Sequence, residues 1–131
     1  MKFFTNGRAF MFSGSKYGNT TVEVDGHKFD SKKEANRYVE LKYLEMAGEI
    51  KDLTVQPKFE LVPAFTDVTG ERHRQVCYIA DFLYIDKNKK KTIIEDVKGM
   101  KTEVYKIKKK MFMHKYFMFG GHNDKEFVEL T

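Results

Sequence analysis

Asp81, Asp96 and Lys98 carry the chemistry of this sequence, because each sits where the residues around it favour a strand. Asp81 separates Tyr78-Ile79-Ala80 from Phe82-Leu83-Tyr84, and Glu95-Asp96 separates Ile93-Ile94 from Val97, with Lys98 next in line. A carboxylate among β-branched and aromatic residues is costly to bury unless a cation pairs with it. The polar segment Asp86 to Lys91 joins the two runs as the loop of a hairpin. A turn centred between Asn88 and Lys89 makes the numbers of directly opposed residues sum to about 177, so Asp81 faces Asp96. Opposed side chains share a sheet face with Cβ atoms roughly 5 Å apart, and Lys98 returns to that face by the period of two. Two like charges so close call for a divalent cation between them. Two or three acids around Mg²⁺, with a lysine to orient water or neutralise developing charge, are what phosphodiester hydrolysis requires. Glu95 competes with Asp96 for the ligand role, but alternation turns it with Val97 to the opposite face, which leaves it an accessory candidate.

The surrounding elements must hold these groups. Thr20 to Val24 and His27 to Phe29 read as a short hairpin around Asp25-Gly26. Ser31-Lys32-Lys33-Glu34 matches a capping box and opens a helix that ends near Gly48, with Ala35, Tyr38, Leu41, Leu44 and Met46 on its apolar side. Glu34 has two readings, a capping residue alone or a carboxylate at the margin of the buried face that reaches a neighbouring strand. Leu53 to Val62 alternates as one strand, in which Pro57 marks an edge or a bulge and Gln56 is a possible accessory to the acidic patch. After Gly99, Thr102 caps a helix expected to reach about Phe119, with Val104, Ile107, Met111 and Met118 as its buried stripe, widened by Phe112, Tyr116 and Phe119. Phe127 to Leu130 closes the order as a strand. The four histidines show no paired zinc spacing.

Length, 131 residues, fits one domain, taken as residues 21–131 behind an N-terminal arm of residues 1–20 that is expected to be flexible or to contact a second subunit. The one cysteine, Cys77, excludes an internal disulfide, and the lack of a membrane-length or secretory apolar run gives a cytoplasmic expectation. Net charge is +5, yet residues 87–110 hold ten lysines against Glu95, Asp96 and Glu103, a local +7. A polyanion is drawn to such a region and releases counterions there, which makes Lys89, Lys90, Lys91, Lys101, Lys106, Lys109 and Lys110 candidate DNA-binding residues.

Ala80-Asp81, then Asp96-Val97-Lys98, with Glu34 on a preceding helix, resembles the PD-(D/E)XK nuclease superfamily. Phe29-Asp30-Ser31-Lys32-Lys33-Glu34, Gln56-Pro57-Lys58-Phe59-Glu60-Leu61, Tyr78-Ile79-Ala80-Asp81-Phe82 and Glu95-Asp96-Val97-Lys98-Gly99, preceded by Lys16-Tyr17-Gly18-Asn19, are similar to small phage-encoded endonucleases of its Holliday-junction-resolvase branch. Ala80 replaces the proline that names the motif, and aspartate precedes Val97-Lys98. The resemblance implies an α/β (α+β) fold, a restriction-endonuclease-like αβββαβ core with helices flanking a mixed sheet. It also implies Glu34, Asp81 and Asp96 as Mg²⁺ ligands (Mn²⁺ substituting), a main-chain oxygen of Val97 beside them, and Lys98 as the catalytic lysine. The expected activity is cleavage of branched or structured phage DNA by a homodimer in the host cytoplasm. The alternative is a phage protein that keeps the fold and binds DNA or a partner without cutting.

Overall fold

The computed structural model describes the backbone of residues 11–14 and 20 and all atoms of 21–118 and 124–131. In chain order the elements are β1 (Met11–Gly14), β2 (Thr20–Val24), β3 (His27–Phe29), α1 (Lys32–Met46), β4 (Ile50–Val55), β5 (Lys58–Val62), β6 (Phe65–Thr66), β7 (Arg72–His73), β8 (Val76–Ile79), β9 (Phe82–Asp86), β10 (Lys91–Val97), α2 (Glu103–Tyr116) and β11 (Lys125–Leu130). The fold is α+β. Its central sheet runs β11-β10-β9-β4 and is mixed, because β10 and β11 are parallel while β9 is antiparallel to both β10 and β4. Helix α2 makes the crossover that a parallel pair needs. Among the described residues no helix is long and apolar enough to cross a membrane.

The two helices lie against opposite faces of the sheet. Ala35, Tyr38 and Leu41 of α1 pack with Val22, Val24 and Phe29 of the β1-β2-β3 sheet and with Ile50, Phe82, Tyr84, Ile93 and Val97. Tyr105 and Phe112 of α2 pack with Leu61, Tyr78, Ala80 and Ile94. Alternation along β10 therefore sends Ile93, Glu95 and Val97 toward α1, and Ile94 and Asp96 toward α2. Helix α1 starts as its sequence predicts, with Ser31 Oγ accepting from the Glu34 amide at 3.2 Å. Gly48 follows its end at φ +80°, a conformation that glycine adopts without strain.

Four expectations about the elements are corrected. The single strand over 53–62 is two, β4 and β5, broken at Gln56-Pro57, where Gln56 takes φ +54°. The run through Asp81 is likewise two, β8 and β9. The breaks are opposite each other: the Gln56 amide donates to the Asp81 carbonyl (2.8 Å) and the Ala80 amide to the Pro57 carbonyl (3.1 Å). One long hairpin thus bends as a unit, and β5 and β8 continue as a separate two-stranded ribbon tipped by β6 and β7. Next, Met46 is 63% exposed, one step off the buried side of α1. Finally, α2 buries Tyr105 and Phe112 while Val104, Ile107 and Met118 are about 60% exposed (63%, 59% and 62%). Aromatic contacts of Phe112 with Phe59, Tyr78, Tyr116, Phe117 and Phe127 outweigh the aliphatic stripe in choosing the face. The arm lies outside the described residues except for Met11–Gly14, which pairs with β2, and Thr20, which opens β2. Phe119 and Lys16-Tyr17-Gly18-Asn19 lie outside them too.

Glu95 is 1% exposed and faces α1, where Arg37 donates to both its oxygens, Nε to Oε1 at 2.8 Å and Nη2 to Oε2 at 2.6 Å, and the Tyr84 hydroxyl adds a third bond. This bidentate pair fastens the helix to the centre of the sheet. Arg37→Ala leaves a buried charge without its cation, so a loss of about 3–5 kcal/mol in urea unfolding is expected, largely recovered in the double variant Arg37→Met with Glu95→Leu. A single-variant loss under about 1 kcal/mol would put this pair with ordinary surface bridges.

Candidate metal and phosphodiester site

The hairpin register matches the one expected, with Lys91 opposite Asp86, Ile93 opposite Tyr84 and Glu95 opposite Phe82. The ladder then loosens at the bend. The Asp81 amide donates to the Glu95 carbonyl (3.0 Å), so the regular pairing ends at Glu95 and Phe82 and the strict opposition of Asp81 and Asp96 expected from the register is not formed. Because the chain bends there, the Asp81 side chain is free to turn back, and its Oδ2 accepts from the Val97 amide at 2.6 Å. Val97, expected to add a main-chain oxygen, meets Asp81 through its amide.

Asp96 is 0% exposed, on the α2 side of β10. Its Oδ2 accepts from the Tyr78 hydroxyl. Its Oδ1 is buried without a hydrogen bond, facing only the Lys98 ammonium at 3.1 Å. That ammonium also lies 4.4 Å from the ring centroid of Tyr105, where the ring's π face favours a cation. Glu34 completes the group from the first turn of α1. Its amide is held by the Ser31 cap, and its carboxylate takes a backbone hydrogen bond at Asp30 and feels both Lys98 and Asp96. The two readings of Glu34 are therefore compatible in one residue. Burial first, then repulsion by Asp30, raises its pKa.

The same physics acts more strongly on Asp81. Burial raises its carboxyl from an ordinary value of 3.8 to about 7, with Glu34 and Asp96 adding repulsion against the opposing pull of the Val97 amide and Lys98. Three carboxylates around one lysine are thus under-neutralised. A divalent cation fits this donor set, since Asp96 Oδ1 is a buried acceptor that makes no hydrogen bond and has only the Lys98 ion pair, and hard oxygen ligands suit Mg²⁺.

Other candidates separate. Glu95, as described, belongs to the opposite face and to Arg37. Gln56 is exposed and donates to the Lys28 carbonyl at 2.9 Å, bracing β3 against the bend rather than joining the acids. Lys89, Lys90 and Lys91 lie at the turn end of the hairpin, one seven-residue strand away from Lys98, or about 20 Å. Lys89 is paired with Glu126 at 3.3 Å. Lys101, Lys106, Lys109 and Lys110 instead line one cleft beside Tyr105. The lysine-rich segment is therefore two patches, and only the second adjoins the acids.

Reading by residue type missed Tyr78, Tyr105 and Arg37. Tyr78 and Tyr105 look like core aromatics, and only their hydroxyls' partners reveal a second role. One further cluster is absent from the sequence expectations. Asp67, Glu71 and His73, at the tip of the β6-β7 turn, bring ligand atoms within 4.8 Å of one another, with His73 Nε2 2.7 Å from Asp67 Oδ2. Asp67 also accepts from the amides of Thr69 and Glu71, which accounts for it as a turn-closing residue. Glu34, Asp81 and Asp96 do not gather three ligand atoms that tightly, as mutual repulsion of three acids dictates.

The raised Asp81 pKa has a stability consequence. The folded protein holds this proton more tightly than the unfolded chain, so the contribution is complete below about pH 4 and is lost as pH rises through about 7. In EDTA, the melting temperature of the wild type relative to Asp81→Asn is expected to fall steadily from pH 5 to pH 8. A difference that stays level across that range would refute the buried, repelled state of Asp81.

Comparison with curated proteins and with solved structures finds no match in either. Residues 14–124, most of the 131-residue chain, match the family model described as protein of unknown function (DUF1064), and the protein belongs to that family.

Proposed function

We propose that this protein is a Mg²⁺-dependent endodeoxyribonuclease of the PD-(D/E)XK type that cuts branched or structured DNA. The observation that carries this reading is the buried Oδ1 of Asp96, which makes no hydrogen bond and lies beside Lys98, on a carboxylate close enough to Asp81 to repel it. Asp81, Asp96 and Glu34 would hold the cation, which when bound polarises the phosphate and lowers the pKa of a bound water. The chain's own residues set the stage. Tyr78 occupies Asp96 Oδ2 and so commits Oδ1 to the site, the Val97 amide orients Asp81, and Lys98 supplies a fixed positive charge for the phosphate oxygens as negative charge develops. The Tyr105 ring, its centroid 4.4 Å from the Lys98 ammonium, adds a favourable cation–π contact that helps to hold it. A homodimer would present two such sites, as two symmetric cuts across a junction demand.

A second reading, a DNA- or partner-binding protein that does not cut, is favoured by one observation. Val104 and Ile107, with Met100 at 79%, leave apolar side chains exposed along α2 and its approach. Such a row suits an interface with another macromolecule.

The deciding experiment incubates the full chain with a labelled four-way junction and a matching duplex, in Mg²⁺, Mn²⁺ or EDTA. Paired, metal-dependent nicks in the junction are expected, abolished by Asp81→Asn or Asp96→Asn and reduced about 10²- to 10³-fold by Lys98→Ala. Binding of the junction persists in all three variants. A separate readout follows the metal itself: millimolar Mg²⁺ raises the wild-type melting temperature at pH 8 and leaves that of Asp96→Asn unmoved. Full cleavage by either aspartate variant would refute the site, and junction binding without a cut in any metal would establish the second reading.

A further inference from the structure

Lys101, Lys106, Lys109 and Lys110 line a cleft of about 380 Å³ whose walls include Tyr105 and Met113 and into which Glu129 of β11 projects. Glu129 is bound from three sides. Lys101 Nζ lies 2.7 Å from its Oε1, Lys109 Nζ lies 3.1 Å from its Oε2, and the Tyr105 hydroxyl donates to Oε2 as well. These partners, Lys101 first, lower the Glu129 carboxyl to about 2, so it is an anion at every ordinary pH. Lys106 is paired with Glu103 at 3.2 Å, on a glutamate side chain 84% exposed, while Lys110 has no ion pair among the described residues. Four lysines against Glu129, with Glu103 paired to one of them, leave the cleft net cationic. Its size falls in the range of sites that take a small ligand.

The cleft also adjoins the acids. The Tyr105 ring that walls it is the ring beneath the Lys98 ammonium, 4.4 Å from its centroid. A strand whose phosphate rests at Lys98 carries its next phosphates only a few ångströms further along the backbone, within reach of the lysines that line the cleft walled by the same Tyr105 ring. We propose that the cleft is a phosphodiester-binding subsite for the nucleotides next to the one engaged at Lys98, and that Glu129 is a built-in anion which the incoming phosphate displaces from Lys101 and Lys109. The inference rests on the nucleic-acid reading above and adds which surface holds the strand. It assigns Glu129 a negative effect on binding, the reverse of what a purely structural carboxylate would have.

The test measures fluorescence anisotropy of the full chain with a labelled oligodeoxynucleotide, single-stranded and duplex, in EDTA so that no cleavage intervenes, over a range of salt. Glu129→Gln keeps the size and an acceptor for Tyr105 but removes the charge. It is expected to tighten binding about fivefold and to steepen the salt dependence by roughly one counterion. Lys110→Glu, at an exposed position outside the Glu129 cluster, is expected to weaken binding more than tenfold and to flatten that dependence. The proposal is overturned if Lys110→Glu binds within twofold of the wild type, or if a Glu129→Gln protein with unchanged circular dichroism binds no more tightly. A polyglutamate 15-mer that competes at lower charge concentration than DNA would also overturn it, in favour of an acidic protein partner. The two readings fail separately: cutting of junctions by a wild type whose cleft variants bind normally refutes the subsite alone, whereas the expected binding shifts without any cutting refute the nuclease alone.

Discussion

Two adjacent carboxylates buried in the central strand of a small sheet set the terms for the rest of this structure. Glu95 and Asp96 are 1% and 0% exposed, and because they are neighbours in β10 they point to opposite faces. Each needs its own compensation, and they receive it differently. Glu95 is fully answered by Arg37 and Tyr84, which turns a liability into the tie between α1 and the sheet. Asp96 is half answered, one oxygen by Tyr78 and the other only by a lysine ammonium that is itself 26% exposed. A fold selected for stability alone would close both. The less compensated carboxylate is thus the one on the α2 side of β10.

The bend in the β4-β5 and β8-β9 hairpin completes that side. A continuous strand through Asp81 would fix its carboxylate by the pleat and leave the Val97 amide to a ladder partner. Breaking both strands at the same level, with Gln56 at φ +54° and Pro57 contributing no amide hydrogen, lets Asp81 reach over the end of β10 instead. The strain in Gln56 is thus the local cost of aiming Asp81, and the Gln56 side chain and amide are both used in holding it. Capping does similar double service at Glu34, where the first turn of α1 places a carboxylate among the others.

Much of this patch was legible from residue order, and the reasons are specific. A hairpin loop between two apolar runs fixes the pairing sum, so the register from Lys91 to Glu95 and the nearness of Lys98 to Asp96 follow from counting, whereas the strict opposition of Asp81 and Asp96 is lost at the bend. The Ser31 cap follows from four consecutive residues. What stayed illegible depends on contacts distant in the chain. Arg37 meets Glu95 across 58 positions, and nothing local in α1 distinguishes it from a solvent arginine. Helix α2 has two competing stripes, an aliphatic one through Val104 and Ile107 and an aromatic one through Tyr105 and Phe112. Periodicity scores them alike, and only the ring partners supplied by β5, β8 and β11 choose between them. The lysines failed as one patch for a simpler reason: a strand of β10's length separates residues that composition lumps together.

The choice of the aromatic stripe has a consequence for electrostatics. Turning Tyr105 inward brings its ring under Lys98 and its hydroxyl to Glu129, so a single side chain touches both the lysine beside the acids and the carboxylate among the cleft lysines. Had the aliphatic stripe been buried, Tyr105 would face solvent and these two charge systems would be independent. As built, they share one side chain. Asp81, Asp96 and Glu34 act on Lys98, which lies over that ring, while Lys101, Lys106, Lys109 and Lys110 line with Glu129 the cleft that the same ring walls.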